Sequence, residues 1–253
     1  MTSKPGKDCL RLDALEKLVL KGPAKSVSQS LASFSTPRLA TVKLYITDKP
    51  PVESLLGVIS MLNRHRLKSI IVHHLGSCPD DSASYINWGQ VFIPLSQHTQ
   101  VEDLRLQFHR IPLRMNNDDV EKLTLTFPAL RKLEIIATSA STSVAPSILC
   151  LTSFARNCSQ LQYLQLDLDN EAPFPLEPPV FSHKLRTVDL FFPTRNTSST
   201  FACSLAHFLD SLFPWLDTSG CEDGIQDWTQ MLRIIDGKRD SRRVERRRLL
   251  QLS

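Results

Sequence analysis

Seven short phrases along this chain place aliphatic residues at the first, fourth and sixth positions of a hexapeptide. They are Leu15/Leu18/Leu20, Leu39/Val42/Leu44, Leu67/Ile70/Val72, Val101/Leu104/Leu106, Leu130/Leu133/Ile135, Leu161/Leu164/Leu166 and Leu185/Val188/Leu190. The last two anchors of each phrase alternate with other residues, which is the period of a strand that buries one face. Successive first anchors lie 24 to 34 residues apart. That interval holds a strand, a turn and a helix, and belongs to stacked repeats.

Helical stripes fill the gaps. Val27, Leu31 and Phe34 fall at i, i+4 and i+7, as do Leu55, Ile59 and Leu62, for which Asp48 and Pro50–Pro51 serve as start signals. Asn117, Asp118 and Asp119 precede Val120, Leu123 and Phe127 as an N-cap and a first acidic turn would. Leu151, Phe154, Ala155 and Cys158 lead into the sixth phrase, and Phe201, Leu205, Phe208, Leu209 and Leu212 follow the seventh. The longest interval carries Tyr85, Trp88 and Phe92 among Ile86, Val91, Ile93 and Leu95. These are assigned to the core, with a groove cap as the alternative. Glu171–Ser182 and Ser139–Ser147 read as surface loops.

The chain has 253 residues with 42% hydrophobic content, enough for one sizeable or continuous core. Each buried anchor contributes ~1.5–3 kcal/mol, against ~1–2 kcal/mol per residue for ordering the chain. No repeat is therefore expected to be stable alone. Eight glycines are few for an enzyme whose loops approach phosphates closely. No apolar run reaches the ~18–20 residues of a membrane span. Six cysteines without paired spacing suit a reducing compartment, so a cytoplasmic or nuclear location is expected. The sequons at Asn157 and Asn196 are then chance matches.

Leu130-Arg131-Lys132-Leu133-Glu134-Ile135, preceded by Phe127-Pro128-Ala129, resembles a leucine-rich repeat. Phe154 to Leu166 is similar to the cysteine-containing repeats of F-box proteins, and Phe201–Leu216 to the end of the irregular arrays in fungal F-box-type proteins. The resemblance covers about residues 10–235. It implies an α/β leucine-rich-repeat solenoid, with a curved parallel sheet on one face and helices on the other. Residues 1–216 would form about seven irregular repeats, and 217–253 a C-terminal helix and basic tail. The function it implies is substrate recognition in a ubiquitin-ligase receptor.

Two departures qualify it. The polar residue that many such repeats place eight positions after the first leucine is replaced by Pro23, Thr47, Leu75, His109, Thr138, Asp169 and Pro193, so irregular turns are expected. The first repeat begins at Leu15, so no F-box is expected ahead of it. Docking on a ubiquitin-ligase adaptor is therefore not carried over.

Residues between the inward anchors face outward. Lys17, Lys21 and Lys43 give the first two strands three bases and no acid, while Asp167, Asp169 and Asp189 give the last two three acids and no base. His73, Arg105 and Glu134 lie between, and Tyr45, Tyr163 and Phe191 are candidate aromatic anchors. This polarised face is expected to orient an elongated protein partner. The alternative is an ordinary solvated sheet.

From Arg233 to Arg248 eight bases meet three acids. Lys238, Arg239, Arg242, Arg243, Arg246, Arg247 and Arg248 form a nuclear-import candidate, or the polar side of a helix whose apolar stripe is Ile225, Trp228, Met231, Leu232 and Ile235. Nucleic-acid contact is less expected, because no aromatics are interleaved.

No Gly-x-Ser-x-Gly elbow, glycine-rich phosphate loop or His-Glu-x-x-His occurs. His73, His74, Cys78, Asp80 and Asp81 lack the ligand-pair spacing of a zinc site. Cys150 and Cys158 read as small core residues. The expectation is a non-enzymatic protein-recognition scaffold with no metal or other cofactor. A doubly wound α/β enzyme with an unrecognised site, or a protein that binds nucleic acid through its tail, are the alternatives.

Overall fold

The computed structural model describes residues 10–76, 85–109, 111–137, 144–169, 171–192, 199–217, 233–237 and 239–241. All seven aliphatic phrases end in strands: β1 (Lys17–Gly22), β2 (Thr41–Ile46), β3 (Ser69–His74), β4 (Asp103–Phe108), β5 (Lys132–Ile136), β6 (Tyr163–Asp167) and β7 (Thr187–Phe191). They form one parallel sheet in strict chain order, β1 to β7. A doubly wound sheet reverses its order at a switch point, where its ligands bind. This order never reverses.

Strand register aligns the anchors into two apolar rows. One runs Leu18, Val42, Ile70, Leu104, Leu133, Leu164, Val188 and the other Leu20, Leu44, Val72, Leu106, Ile135, Leu166, Leu190. From β2 to β7 these side chains are between 0% and 5% exposed. Leu18 and Leu20, on the edge strand, are only partly buried.

Behind the rows lie α1 (Ala24–Ser33), α2 (Val52–Ser60), α3 (Trp88–Leu95), α4 (Asn117–Thr126), α5 (Leu151–Asn157) and α6 (Ser199–Leu212). Each packs on the next in chain order. A right-handed crossover repeated in one direction puts every helix on the same face. Among the described residues, the other face is then formed by the strands' own side chains.

A backbone ladder propagates the stack. The carbonyls of Glu16, Ala40, Lys68, Glu102, Arg131 and Gln162 each accept two amides from the next repeat, and Arg186 O accepts the Asp217 amide at 2.6 Å. The turns lacking the usual polar residue are held similarly: Thr47 N bonds Gly22 O, Leu75 N bonds Ile46 O and His109 N bonds His74 O. Among the described residues, backbone amides thus do the work expected of a side-chain ladder.

Several local expectations are corrected. Asp48 does not start α2, whose N-cap is Pro51. Its carboxylate instead accepts the Ala24 amide at 2.9 Å, capping the preceding helix. Asp48→Ala is expected to cost about 0.5–2 kcal/mol, read as an earlier urea midpoint with α1 amides exchanging first. Its backbone is equally confined: a Cβ on Gly76 would lie 1.9 Å from Asp48 O. Asn117 is not the N-cap of α4; Asn116 is, exchanging bonds of 2.9 and 3.1 Å with Asp119. Asn117 instead clips Ser147, across to the start of the next repeat.

Trp88 is 1% exposed and Phe92 is partly buried, as expected of core, but Ile93 is 70% exposed and Tyr85 lies at the surface under Arg114. The loop Glu171–Ser182 has no helix; Phe174 anchors it against Phe201 and Phe208 of α6 at ring separations of 5.4 and 5.9 Å. Cys150 and Cys158 are buried, and Cys158 Sγ lies 3.7 Å from the carbonyls of Thr124 and Phe127 at the end of α4. Burial pushes the Cys158 thiol up to about 12. It acts as a small apolar donor between repeats. No helix among the described residues is long and apolar enough to cross a membrane.

Candidate functional site: the open sheet face

The open face is ordered in three transverse rungs. The first runs Lys17, Thr41, Ser69, Asp103, Lys132, Tyr163, Thr187 and the second Val19, Lys43, Ile71, Arg105, Glu134, Gln165, Asp189. In the third, Lys21, Tyr45, His73, Gln107 and Ile136 follow one another, and Asp167 pairs with Phe191. Neighbours on a rung are ~4.8 Å apart, within reach of each other's side chains.

From β4 onward the polar groups satisfy one another. Arg105 grips Asp103 of its own strand through two bonds, 2.7 and 2.8 Å, and that bond holds the guanidinium pKa above its ordinary value. Glu134 accepts from Gln107 and faces Lys132 at 3.8 Å. Lys132 Nζ sits 3.9 Å above the Tyr163 ring, so that ring is covered rather than offered to solvent. The Tyr163 hydroxyl donates to Gln165 at 2.8 Å, and the Gln165 amide donates to Asp189 at 3.0 Å. Asp167 accepts the Ala137 amide at 3.0 Å.

Desolvation on this face is considerable. Ile71, Glu134 and Gln165, expected to be outward and solvated, are only 2%, 7% and 8% exposed. By register they point outward, each with a rung residue on either side. Burial pushes the Asp167 carboxyl up to about 6, with the Ala137 bond opposing and the Asp189 charge assisting. Burial and then the Glu134 charge raise Asp189. Tyr163 is pushed up to about 12 by burial, then by Glu134 and Asp189. The His73 imidazole lies below its ordinary value because burial outweighs the attraction of Glu134.

The β1–β2 end differs. Lys17 and Lys21 are exposed and Lys43 is half-buried. Among the described residues none of the three has an ion pair. Tyr45 stacks beside His73 with ring centroids 5.2 Å apart. Phe191 is 39% exposed on the far edge strand. The three expected aromatic anchors thus fall on β2, β6 and β7 and do not form one patch. Asp169 is not on the face: it lies past β6, bridges Ser147 and accepts the Glu171 amide.

Sequence reasoning placed Arg105, Glu134, Tyr163, Asp167 and Asp189 on this face but missed how Asp103, Gln107, Lys132 and Gln165 connect them. The signal was present, because aligning the seven phrases puts these residues at equal offsets. Cys78, Asp80 and Asp81 lie outside the described residues, while His73 and His74 point to opposite sides of the sheet. Among the described residues no group of three or more His, Cys, Asp or Glu could hold a metal.

Of the basic tail, Arg233, which is exposed, and Arg239 are described. Arg239 Nη1 donates to Leu216 O at 2.5 Å and its guanidinium approaches Asp210 and Asp236 at 3.9 Å. That side chain is 18% exposed, so it ties the C-terminal segment to the end of α6. Lys238, Arg242, Arg243, Arg246, Arg247 and Arg248 lie outside the described residues. Comparison with family models, curated proteins and solved structures returns no match to this chain, so the reading of this face rests on its own geometry.

Proposed function

We propose that this protein is a non-enzymatic recognition scaffold, a solenoid of irregular leucine-rich-repeat type, and that the open face of its sheet holds a protein partner. One observation carries the reading: among the described residues, helices packed in chain order follow the strands of a seven-stranded parallel sheet, and the other face presents two unbroken rungs of side chains and a third in two parts. A surface whose polar groups already hold one another loses little side-chain entropy on binding. The resemblance to the recognition part of F-box-type ubiquitin-ligase receptors points the same way, towards holding a substrate protein. The contact with such a ligase's adaptor is not part of this proposal.

The unpaired lysines of β1 and β2 give the face its attractive field. Steering by such charges acts on association more than on dissociation. The variant carrying Lys17→Glu, Lys21→Glu and Lys43→Glu should bind the partner with an association rate about tenfold or more slower. That loss should shrink as ionic strength rises. An association rate indifferent to all three reversals at low salt would remove the steering role.

A further inference from the structure

The edge strand β1 differs from the six strands beside it in three ways. Among the described residues no chain pairs with its outer side, so a row of backbone groups is left open. Its inward Leu18 and Leu20 are only partly buried, although their partners Val42 and Leu44 on β2 are 0% exposed. Its outward Lys17 and Lys21 are exposed, and Val19 between them is 49% exposed. The two apolar rows and the backbone ladder therefore stop one strand short of being covered.

We propose that this edge takes one extended polypeptide segment as an added strand, with acidic residues alternating with aliphatic ones. A strand laid ~4.8 Å from β1 would set its inward side chains beside Leu18 and Leu20, and its outward ones beside Lys17 and Lys21. Its alternation is then acid, aliphatic, any residue, aliphatic, acid, in either strand direction. Main-chain bonds supply affinity, while the aliphatic pair and the two carboxylates supply selection. A second copy of this chain fits poorly, because β1 against β1 opposes lysine to lysine. The other edge of a second copy fits no better: a parallel register sets Thr187 and Phe191, not an acid, beside Lys17 and Lys21. This edge borders the open face and shares Lys17 and Lys21 with it, but strand addition also needs the open backbone of β1, which the function proposed above does not use, so N-methylation of the peptide separates the two.

The test uses the full chain and a fluorescent, end-blocked peptide containing Glu-Ile-Thr-Val-Glu between serines. Saturable binding is expected, with slowed amide exchange confined to β1 and its neighbour. The Lys17→Glu, Lys21→Glu variant should weaken binding about tenfold or more, and should bind better when lysine replaces glutamate in the peptide. N-methylation of alternate peptide amides, which keeps the charge and removes the donors, should abolish binding. Absence of saturable binding overturns the proposal. So does equal binding of the N-methylated peptide, or its displacement by an oligothymidylate as effective as unlabelled peptide, since either means charge attraction without strand addition.

Discussion

Leu133→Ala is expected to lower folding stability by about 2–5 kcal/mol, with Leu18→Ala costing well under half as much. Both leucines occupy the same transverse row, but Leu133 is 0% exposed on the fifth of seven strands whereas Leu18 is partly buried on the first. Truncation at Leu133 leaves a cavity walled by Leu104 and Leu164, its row neighbours on either side. The backbone ladder fixes strand spacing, so the site cannot collapse to fill it. At Leu18 one side already meets solvent, and the loss is closer to simple transfer of three carbons. Urea unfolding of the two variants reads the difference, provided the slope of stability against denaturant is unchanged. Equal costs would mean that burial does not build up from the edge to the middle of the stack.

Acid should destabilise the protein more than carboxylate chemistry alone would. His74, His98 and His183 are 0%, 3% and 5% exposed, and burial holds each imidazole below its ordinary pKa. The smaller influences differ: the backbones of Asp48 and His109 raise His74, the charge of His65 lowers His98 while its backbone raises it, and the Cys158 carbonyl raises His183. His183 shows why protonation is resisted. Its Nε2 donates to Cys158 O at 2.7 Å while Nδ1 accepts the Leu185 amide at 3.0 Å. The neutral ring uses both nitrogens; a second proton would confront the Leu185 N–H.

For each of these histidines the unfolded chain takes up its proton first, near pH 6.5. Stability is therefore lost as pH falls from about 6.5 towards the folded values, by up to about 1.4 kcal/mol per pH unit for each ring. Asp167 works in the opposite direction. Its folded value of about 6 lies above the ordinary carboxyl range, so its contribution is present at low pH and lost as pH rises through 6. With His65 and His73 also held below their ordinary value and Asp189 also raised, five rings stand against two carboxyls, which leaves a net loss on acidification. A falling melting temperature between pH 7 and 5.5, flattened in His183→Gln, is the expected record. A melting temperature that holds or rises over that window would contradict it.

Much of this fold was legible because burial on one side imposes a strict alternation. The last two anchors of every aliphatic phrase lie in a strand that begins two residues after the first anchor, and aligning the phrases gives the sheet register without further information. The helical stripes were legible for the same reason, down to Leu55 and Ile59 or Val120 and Leu123. What escaped was set by neighbours distant in sequence. Asp48 looks like a local cap but bonds a helix 24 residues earlier, because parallel stacking brings one turn beside the preceding helix. Asn117 clips Ser147, 30 residues away, for the same reason. Glu134 and Gln165 appear solvated by their alternation, yet both are buried and hydrogen-bonded to other residues of the face. Composition predicts a charged face; side-chain geometry decides that Asp103, Glu134 and Asp189 are engaged at one end while three lysines stay unpaired at the other.

Site-specific photo-crosslinking in cells tests the central claim most directly. A benzoylphenylalanine replacing Tyr45, on β2 at the lysine-bearing end of the open face, should yield one or a few discrete adducts with a partner protein. The same probe replacing Leu125, which is 62% exposed on α4 at the back, should yield none of them. Adducts of equal intensity and identity from both positions, or partner adducts from Leu125 alone, would show that the strands' open side is not where this protein holds its partner.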